Sequence, residues 1–246
     1  MEQIEGRYPV LEAFHAGRKL IKLYLLKDGK GETLEKIEHL AEMQQVTIQW
    51  MDRNKLNEMS EGRVHQGVIA EAPDKELVSV EDILAIAVAK SQPPFILVLD
   101  GLEDPGNVGS LIRSAAAAGV HGLIMREKRA ASFTPGLIKA TAGAWEYLPI
   151  AVVTNISRTL VQLKEAGVWV AGADMDGDLI YKANLQGPLA IVIGAEGQGL
   201  SRLVKEKCDF LLSLPMVGGI ASLNAAVAGA LAIYEALRQR GVYTRS

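Results

Sequence analysis

The sequence predicts an α/β protein whose larger part is a mostly parallel sheet, preceded by a small α/β domain. Short, mostly apolar runs carry the first half of that expectation: FILVLD (95–100), GLIM (122–125), VWVAGAD (168–174), LAIVIG (189–194) and FLLSLP (210–215). Runs of this length without polar alternation are strands buried on both faces. They alternate with Ala-rich helical stretches, which implies right-handed crossovers between parallel strands. The seam is Pro93-Pro94, which stops a helix over Val80 to Lys90 and begins a new pattern. The 246 residues therefore divide into a domain over 1–73, a linker over 74–93 and a second domain over 94–246.

In the first domain Ile21 to Leu26 reads as a strand, Thr33 to Gln44 as an amphipathic helix, Val46 to Trp50 as a second strand and VHQGVIAEA (64–72) as a third. Turns fall at Lys27 to Gly31 and Asp52 to Asn54. Its ten Lys and Arg face twelve Asp and Glu, so it is not basic overall. The whole chain has a net charge of -3, which excludes a nucleic-acid partner of the basic-arm kind. A lone cysteine, Cys208, rules out disulfide scaffolds and cysteine-rich zinc sites. The longest apolar runs are far shorter than the roughly 18 to 20 residues that cross a bilayer, and the first residues carry no secretory pattern, so a soluble cytoplasmic protein is expected.

Ligands of open α/β sheets bind beyond the carboxyl ends of the strands, and three segments there are unusual. In Asp100 to Gly119, Asp104-Pro105-Gly106 reads as a turn, Asn107 can cap the following helix, and Gly109 leaves room above Arg113 on the same face. An ordinary capped helix with a surface arginine is the alternative. In Ile191 to Ser201, Gly194, Gly197 and Gly199 follow a buried strand, and backbone N–H groups can approach a ligand closely. The spacing is neither the dinucleotide fingerprint nor a P-loop, which sets aside a nucleotide-dependent oxidoreductase. Glu196 within that loop is either a loop-stabilising acceptor or a catalytic group. In Leu214 to Tyr234, Ser222 or Asn224 can cap a helix whose stripe of Ala226, Gly229, Ala230 and Ile233 allows close packing, in a core or between subunits.

Other patterns carry less. Asp174 to Asp178 looks like a calcium loop, but its glycine falls at the fourth position and Leu185 stands at the twelfth. His15, His39, His65 and His121 have no metal-ligand spacing, and no metal is expected.

Together the three segments resemble the SpoU family of RNA 2′-O-ribose methyltransferases, within the SPOUT superfamily. The match is N-x-G-x-x-x-R at Asn107, Gly109 and Arg113, the glycine loop at Gly194 to Gly199, and the P-M-x-G-x-x-x-S-L-N stretch from Pro215 to Asn224. The first domain is similar, more diffusely, to the ribosomal-protein-like domain that many members use to bind RNA. The resemblance implies a carboxy-terminal trefoil knot, a homodimer and S-adenosylmethionine as cofactor. It places the cofactor at Gly172, Ala173, Gly194, Gly197, Leu214, Met216 and Leu223. Ala173, and Ala225-Ala226 after S-L-N, depart from the commoner family residues.

The implied reaction moves a methyl group from a sulfonium to a ribose 2′-OH, and Arg113 is its leading catalytic candidate. A free arginine is almost wholly protonated at neutral pH, so two roles compete. Arg113 either loses its proton during the reaction or stays charged, grips a phosphate and stabilises the forming alkoxide, and the second is favoured. Asn107, Glu196, Ser222 and Asn224 are supporting catalytic candidates. RNA contacts are expected from Arg7, Arg18, Lys19, Lys22, Arg63 and His65 in the first domain, and from Arg126, Lys128, Arg129 and Lys139 near the site. A guanosine in large-subunit ribosomal RNA is the expected target, with a transfer-RNA enzyme of the same family as the near alternative. A non-catalytic RNA-binding assembly factor is the reading from a different class.

Overall fold

The computed structural model describes residues 1–127, 133–219 and 222–241. In chain order the strands are β1 (Glu2–Glu5), β2 (Lys22–Leu26), β3 (Thr47–Met51), β4 (Val68–Ala72), β5 (Phe95–Asp100), β6 (Gly122–Arg126), β7 (Ile150–Val153), β8 (Trp169–Leu179), β9 (Leu189–Gly194) and β10 (Phe210–Ser213). The helices are α1 (Arg7–His15), α2 (Glu32–Met43), α3 (Arg53–Met59), α4 (Val80–Ala89), α5 (Pro105–Ala117), α6 (Pro135–Ala140), α7 (Ile156–Glu165), α8 (Arg202–Lys205) and α9 (Ala225–Gln239). The chain forms two compact units, one of Met1–Glu76 with Phe133–Tyr147 and one of Leu77–Ser132 with Leu148–Ser246.

The first unit is a four-stranded sheet in the order β1-β4-β2-β3, in which only β2 and β3 run parallel. On α2, Leu34, Ile37 and Ala41 fall at helical spacing and are buried. They join Val10, Ala13 and Phe14 of α1 and Leu23, Leu25, Val68 and Ala70 of the sheet in one core. β1, α1 and α3 are absent from the sequence reading. α3 buries only Leu56 and so lacks an apolar face, and α1, although it buries Pro9, Val10, Ala13 and Phe14, begins after Gly6 with no side-chain cap.

The segment Phe133–Tyr147, placed by the sequence within the second domain, packs with the first unit. Trp145 is buried to 1 % exposure, and Lys75 Nζ donates to its carbonyl at 2.5 Å. Gly143 lies against Glu12, where a Cβ would come within 2.4 Å, and its φ of +91° also demands glycine. Arg18 donates to Glu146 at 2.9 Å and to Glu2 at 2.8 Å, with all three side chains largely buried. Such ties join residues far apart in sequence and have no periodic signature.

The second unit is a six-stranded, wholly parallel sheet in the order β10-β8-β9-β5-β6-β7. Its central strands bury Ile96, Val98, Ile124, Ala190 and Val192 against Ile156, Leu160 and Leu163 of α7. Ser79 and Asp82 form a capping box at α4, and Asn155 caps α7. β8 runs five residues beyond the expected Asp174. Its pairing with β10 passes from Gly172↔Leu211 to Asp178↔Leu212, so residues 173–177 form a wide excursion. Asp174 and Asp176 of this excursion both pair with Lys205, at 2.9 and 3.1 Å, which gives the calcium-like stretch a structural role. Gly177 rests on the β10 backbone, where a Cβ would sit 2.5 Å from Leu211.

His121 is 2 % exposed; its Nδ1 accepts from Phe95 N and its Nε2 donates to Gln92 Oε1, each at 3.0 Å. Burial, aided by Lys90 and Arg240, pushes its pKa down from 6.5 to about 4. The neutral ring is therefore the folded form, and the stability it contributes is complete above pH 6.5 and is lost as pH falls toward 4. Urea unfolding at stepped pH should show a loss of up to about 3 kcal/mol across this window, and His121→Asn should flatten the slope there. An unchanged slope in the variant would remove His121 as the cause.

Candidate active site

Asp100 at the end of β5 pairs with Gly194 at the end of β9, so the loops leaving these two strands start side by side. From β5 the chain continues to α5 and β6 on one side, and from β9 to α8 and β10 on the other. That divergence makes a topological switch point, where parallel sheets open a crevice. A cleft of about 580 Å³ lies there, lined by Asp100, Asp104, Arg126, Glu196, Gln198 and neighbouring residues of the two loops.

The loop after β9 is closed by paired bonds between Ala195 and Gly199, N–H to carbonyl, at 3.0 and 2.9 Å. Gly197 and Gly199 adopt φ of +73° and +66°, and Gly194 packs on the backbone of Gly199, where a Cβ would lie 2.1 Å from its carbonyl carbon. The turn lifts Glu196 toward α5. There Asn107 Nδ2 donates to Glu196 Oε1 at 2.6 Å, and Asn224 Nδ2 donates to the same oxygen at 3.0 Å and to Asn107 Oδ1 at 2.9 Å. One residue from each sequence segment thus meets in a single hydrogen-bonded cluster.

Capping explains how the two asparagines are held. The sequence allowed Asn107 to cap α5, but Asp104 does so, accepting from Asn107 N at 2.8 Å with Pro105 opening the helix. That frees the Asn107 side chain for Glu196. At α9 the cap is Asn224, not Ser222: its Oδ1 accepts from Ala226 N and Val227 N, leaving its amide group for the cluster. The sequence reading takes Asp104 as part of a turn and misses its capping role, although Asp-Pro before an apolar helix is a usable start signal. Glu196 Oε2 has no hydrogen-bond donor among the described residues.

Arg113 is exposed on α5 and makes no hydrogen bond or ion pair among the described residues. Ser222 is exposed and likewise not bonded to the cluster. Gly229 lets α9 press on α5, since a Cβ there would sit 2.6 Å from Leu111 Cδ2. Cys208 is partly buried and its thiol is pushed up to about 12, chiefly by burial, so it offers no thiolate.

Of the expected cofactor contacts, Gly172 and Ala173 lie inside β8, and a Cβ at Gly172 would meet Leu200 at 2.6 Å and Cys208 at 2.9 Å. Ala173, Leu214, Met216 and Leu223 are half-buried, and Gly197 is exposed. The strand order β10-β8-β9 sets the ends of these three strands beside one another. Half-buried apolar side chains with open glycine backbone suit a purine with an amino-acid tail, so the residues present fit S-adenosylmethionine.

The expected RNA contacts separate into groups. Arg7, Arg63 and His65 line one cavity of the first unit. Arg18 is neutralised by Glu2 and Glu146 and has no charge to spare for a phosphate. Lys19 is exposed, and Lys22 lies over the Tyr24 ring at 4.9 Å. Lys139, expected near the methyl-transfer site, instead donates to the Val64 carbonyl in the first unit. Arg126 lines the cleft of the second unit, and Lys128 and Arg129 lie outside the described residues.

Two family models match: the SpoU rRNA methylase family over residues 94–234, and the RNA 2′-O ribose methyltransferase substrate-binding domain over residues 3–78. A Bacillus subtilis protein named for the TrmH family of tRNA/rRNA methyltransferases, YacO, is 45% identical over 97% of this chain and 96% of its own length. The 23S rRNA (guanosine-2′-O-)-methyltransferase RlmB of Photorhabdus laumondii is 42% identical over 91% of each chain. Among solved structures, the SpoU methyltransferase AviRb of Streptomyces viridochromogenes in complex with AdoMet superposes with a TM-score of 0.79 at 27% identity, covering 97% of this chain and 90% of that one. The fold and site define an RNA-modifying α/β enzyme. The chain belongs to the SpoU methylase family and is an RNA methyltransferase that uses S-adenosylmethionine.

Proposed function

We propose that the protein methylates the ribose 2′-hydroxyl of a guanosine in large-subunit ribosomal RNA, acting in the cytoplasm as a homodimer. The Asn107–Glu196–Asn224 cluster at the switch point carries the reading, because it joins the three segments at one place and leaves a carboxylate oxygen open. The name of the Photorhabdus relative supports guanosine of 23S rRNA. In this reading the half-buried Leu214, Met216 and Leu223 and the glycine loop hold the cofactor, which when bound supplies the methyl group. Arg113 stays charged, holds the adjacent phosphate and stabilises the developing alkoxide, while the 2′-OH proton passes to Glu196 Oε2 or to solvent water. Glu196 Oε2 accepts from the ribose or from Arg113, and the asparagines keep it in place. Ser222, exposed and outside the cluster, is left to bond the incoming ribose. Alignment of oxygen and methyl contributes much of the acceleration, since positioning alone is worth roughly 7 to 11 kcal/mol.

The homodimer is supported by Val227, Leu231 and Tyr234, which are 49%, 45% and 47% exposed at helical spacing along α9. Leu231→Arg should halve the mass seen by light scattering, and an unchanged mass would place the interface elsewhere. The carboxy-terminal knot implied by the family resemblance belongs to the same reading. The function is tested by incubating the protein and labelled S-adenosylmethionine separately with undermethylated 23S rRNA and with transfer RNA. Label in the ribosomal RNA is expected, and label only in transfer RNA would overturn the substrate.

A further inference from the structure

The first unit contains a cavity of about 690 Å³ whose lining includes Arg7, Tyr8, Lys30, Arg53, Asn57 and His65. We propose that it is a binding site for one unstacked nucleotide of the substrate RNA, with the base on Tyr8 and the phosphate among Arg7, Lys30 and Arg53. The inference rests on the RNA methyltransferase reading and adds to it a defined subsite remote in sequence from the methyl-transfer motifs.

Charge is the first support. Four cationic side chains line the cavity and Asp28 is its sole acidic lining residue. Arg63 is neutralised by Glu5 at 2.9 Å and Glu61 at 2.7 Å, which stand behind the lining. Arg7 is different, because its guanidinium is held by neutral acceptors: Nε donates to Gln66 O at 3.0 Å and Nη2 to Lys30 O at 3.1 Å. It is fixed in place with its charge uncompensated. Gly31 makes room for it, since a Cβ there would lie 2.9 Å from Arg7 Nη1. Arg53 and Lys30 are exposed and have no ion-pair partner among the described residues. A chain of net charge -3 thus concentrates unpaired cations in one concavity.

Shape and surface are the second support. Tyr8, the second residue of α1, is 63% exposed at the cavity wall. An exposed aromatic ring beside cations is the arrangement on which single-stranded bases stack. The opposite wall is braced: His65 Nδ1 accepts from Gly67 N and Nε2 donates to Asn57 Oδ1, both at 3.0 Å. Burial first and Arg53 second hold the His65 pKa below the usual histidine range, so it shapes the wall as a neutral ring. Gln66 sits at a φ of +56°, an unfavourable conformation for glutamine, and its Oε1 accepts from Arg7 N at 3.0 Å. The exposed Gln66 amide is free to read a base edge.

The test compares wild type with Tyr8→Leu, Arg53→Gln and a control in the second unit that does not line the cavity, Lys90→Gln, in steady-state methylation of a 23S rRNA transcript. Melting curves and S-adenosylmethionine titration accompany it. The expected result is a rise of about tenfold in KM for the transcript in each cavity variant, with kcat, cofactor affinity and melting unchanged. The logarithmic salt slope of RNA binding should also fall by about one in Arg53→Gln only. Partial rescue by Tyr8→Phe and by Arg53→Lys should follow. Unchanged KM in both cavity variants, or a fall in kcat without a rise in KM, would overturn the subsite. A rise for Arg53→Gln alone would reduce it to a backbone contact and overturn the nucleotide. A wild type that labels no RNA would sink the underlying reading instead.

Discussion

Arg113→Ala should lower kcat for methyl transfer by about 10²- to 10³-fold, the usual effect of removing one group that stabilises a developing oxyanion. Affinity for S-adenosylmethionine should hold, because the expected cofactor contacts lie on other loops. The structure makes the substitution clean: Arg113 is exposed and carries no ion pair among the described residues, so the fold loses nothing by its removal. Arg113→Lys separates the two roles of the guanidinium. Lysine keeps the charge but not the planar fork that grips a phosphate with two bonds, and it should recover only part of the rate. Near-normal turnover in Arg113→Lys with the same pH dependence would show that guanidinium geometry is not needed.

Gly194→Ala should have the next largest effect, on cofactor binding. A Cβ at Gly194 would come within 2.1 Å of Gly199, backbone against backbone, so the Ala195–Gly199 turn must open. Overpacking of this kind costs roughly 1 to 3 kcal/mol. Because the same turn carries Glu196, the variant should weaken S-adenosylmethionine binding about 5- to 150-fold and lower kcat together. Calorimetric titration with the cofactor checks the first and transcript methylation the second. Wild-type affinity in a folded Gly194→Ala protein would move the cofactor away from this loop.

The parallel sheet was legible because its strands are short apolar runs that no helix pattern could absorb. All five of those runs are strands, as is the β7 stretch that the sequence reading passed over. The three segments after the strands were legible because glycine, asparagine and proline have few uses at such positions. What joins them was not. Which of Asp104 and Asn107 caps α5 depends on which side chain is claimed elsewhere, and Glu196 makes that claim on Asn107 from 89 residues away. The same limit applies to Lys139: it follows β6 closely in sequence, but its whole segment packs with the first unit and its partner is Val64. The first unit's cavity was half legible, since Arg7, Arg63 and His65 drew notice as charges and Tyr8 and Arg53 did not. A net charge of -3 hides a local cluster because it sums over all of the surface.

The central claim is that the transferred methyl ends on a ribose oxygen, and nucleoside analysis tests it most directly. A 23S rRNA transcript methylated with labelled S-adenosylmethionine is digested to nucleosides and separated by mass. Label in a 2′-O-methylguanosine, with fragmentation that leaves the methyl on the sugar, is the predicted result. Label retained on the free base after the glycosidic bond is broken would contradict it.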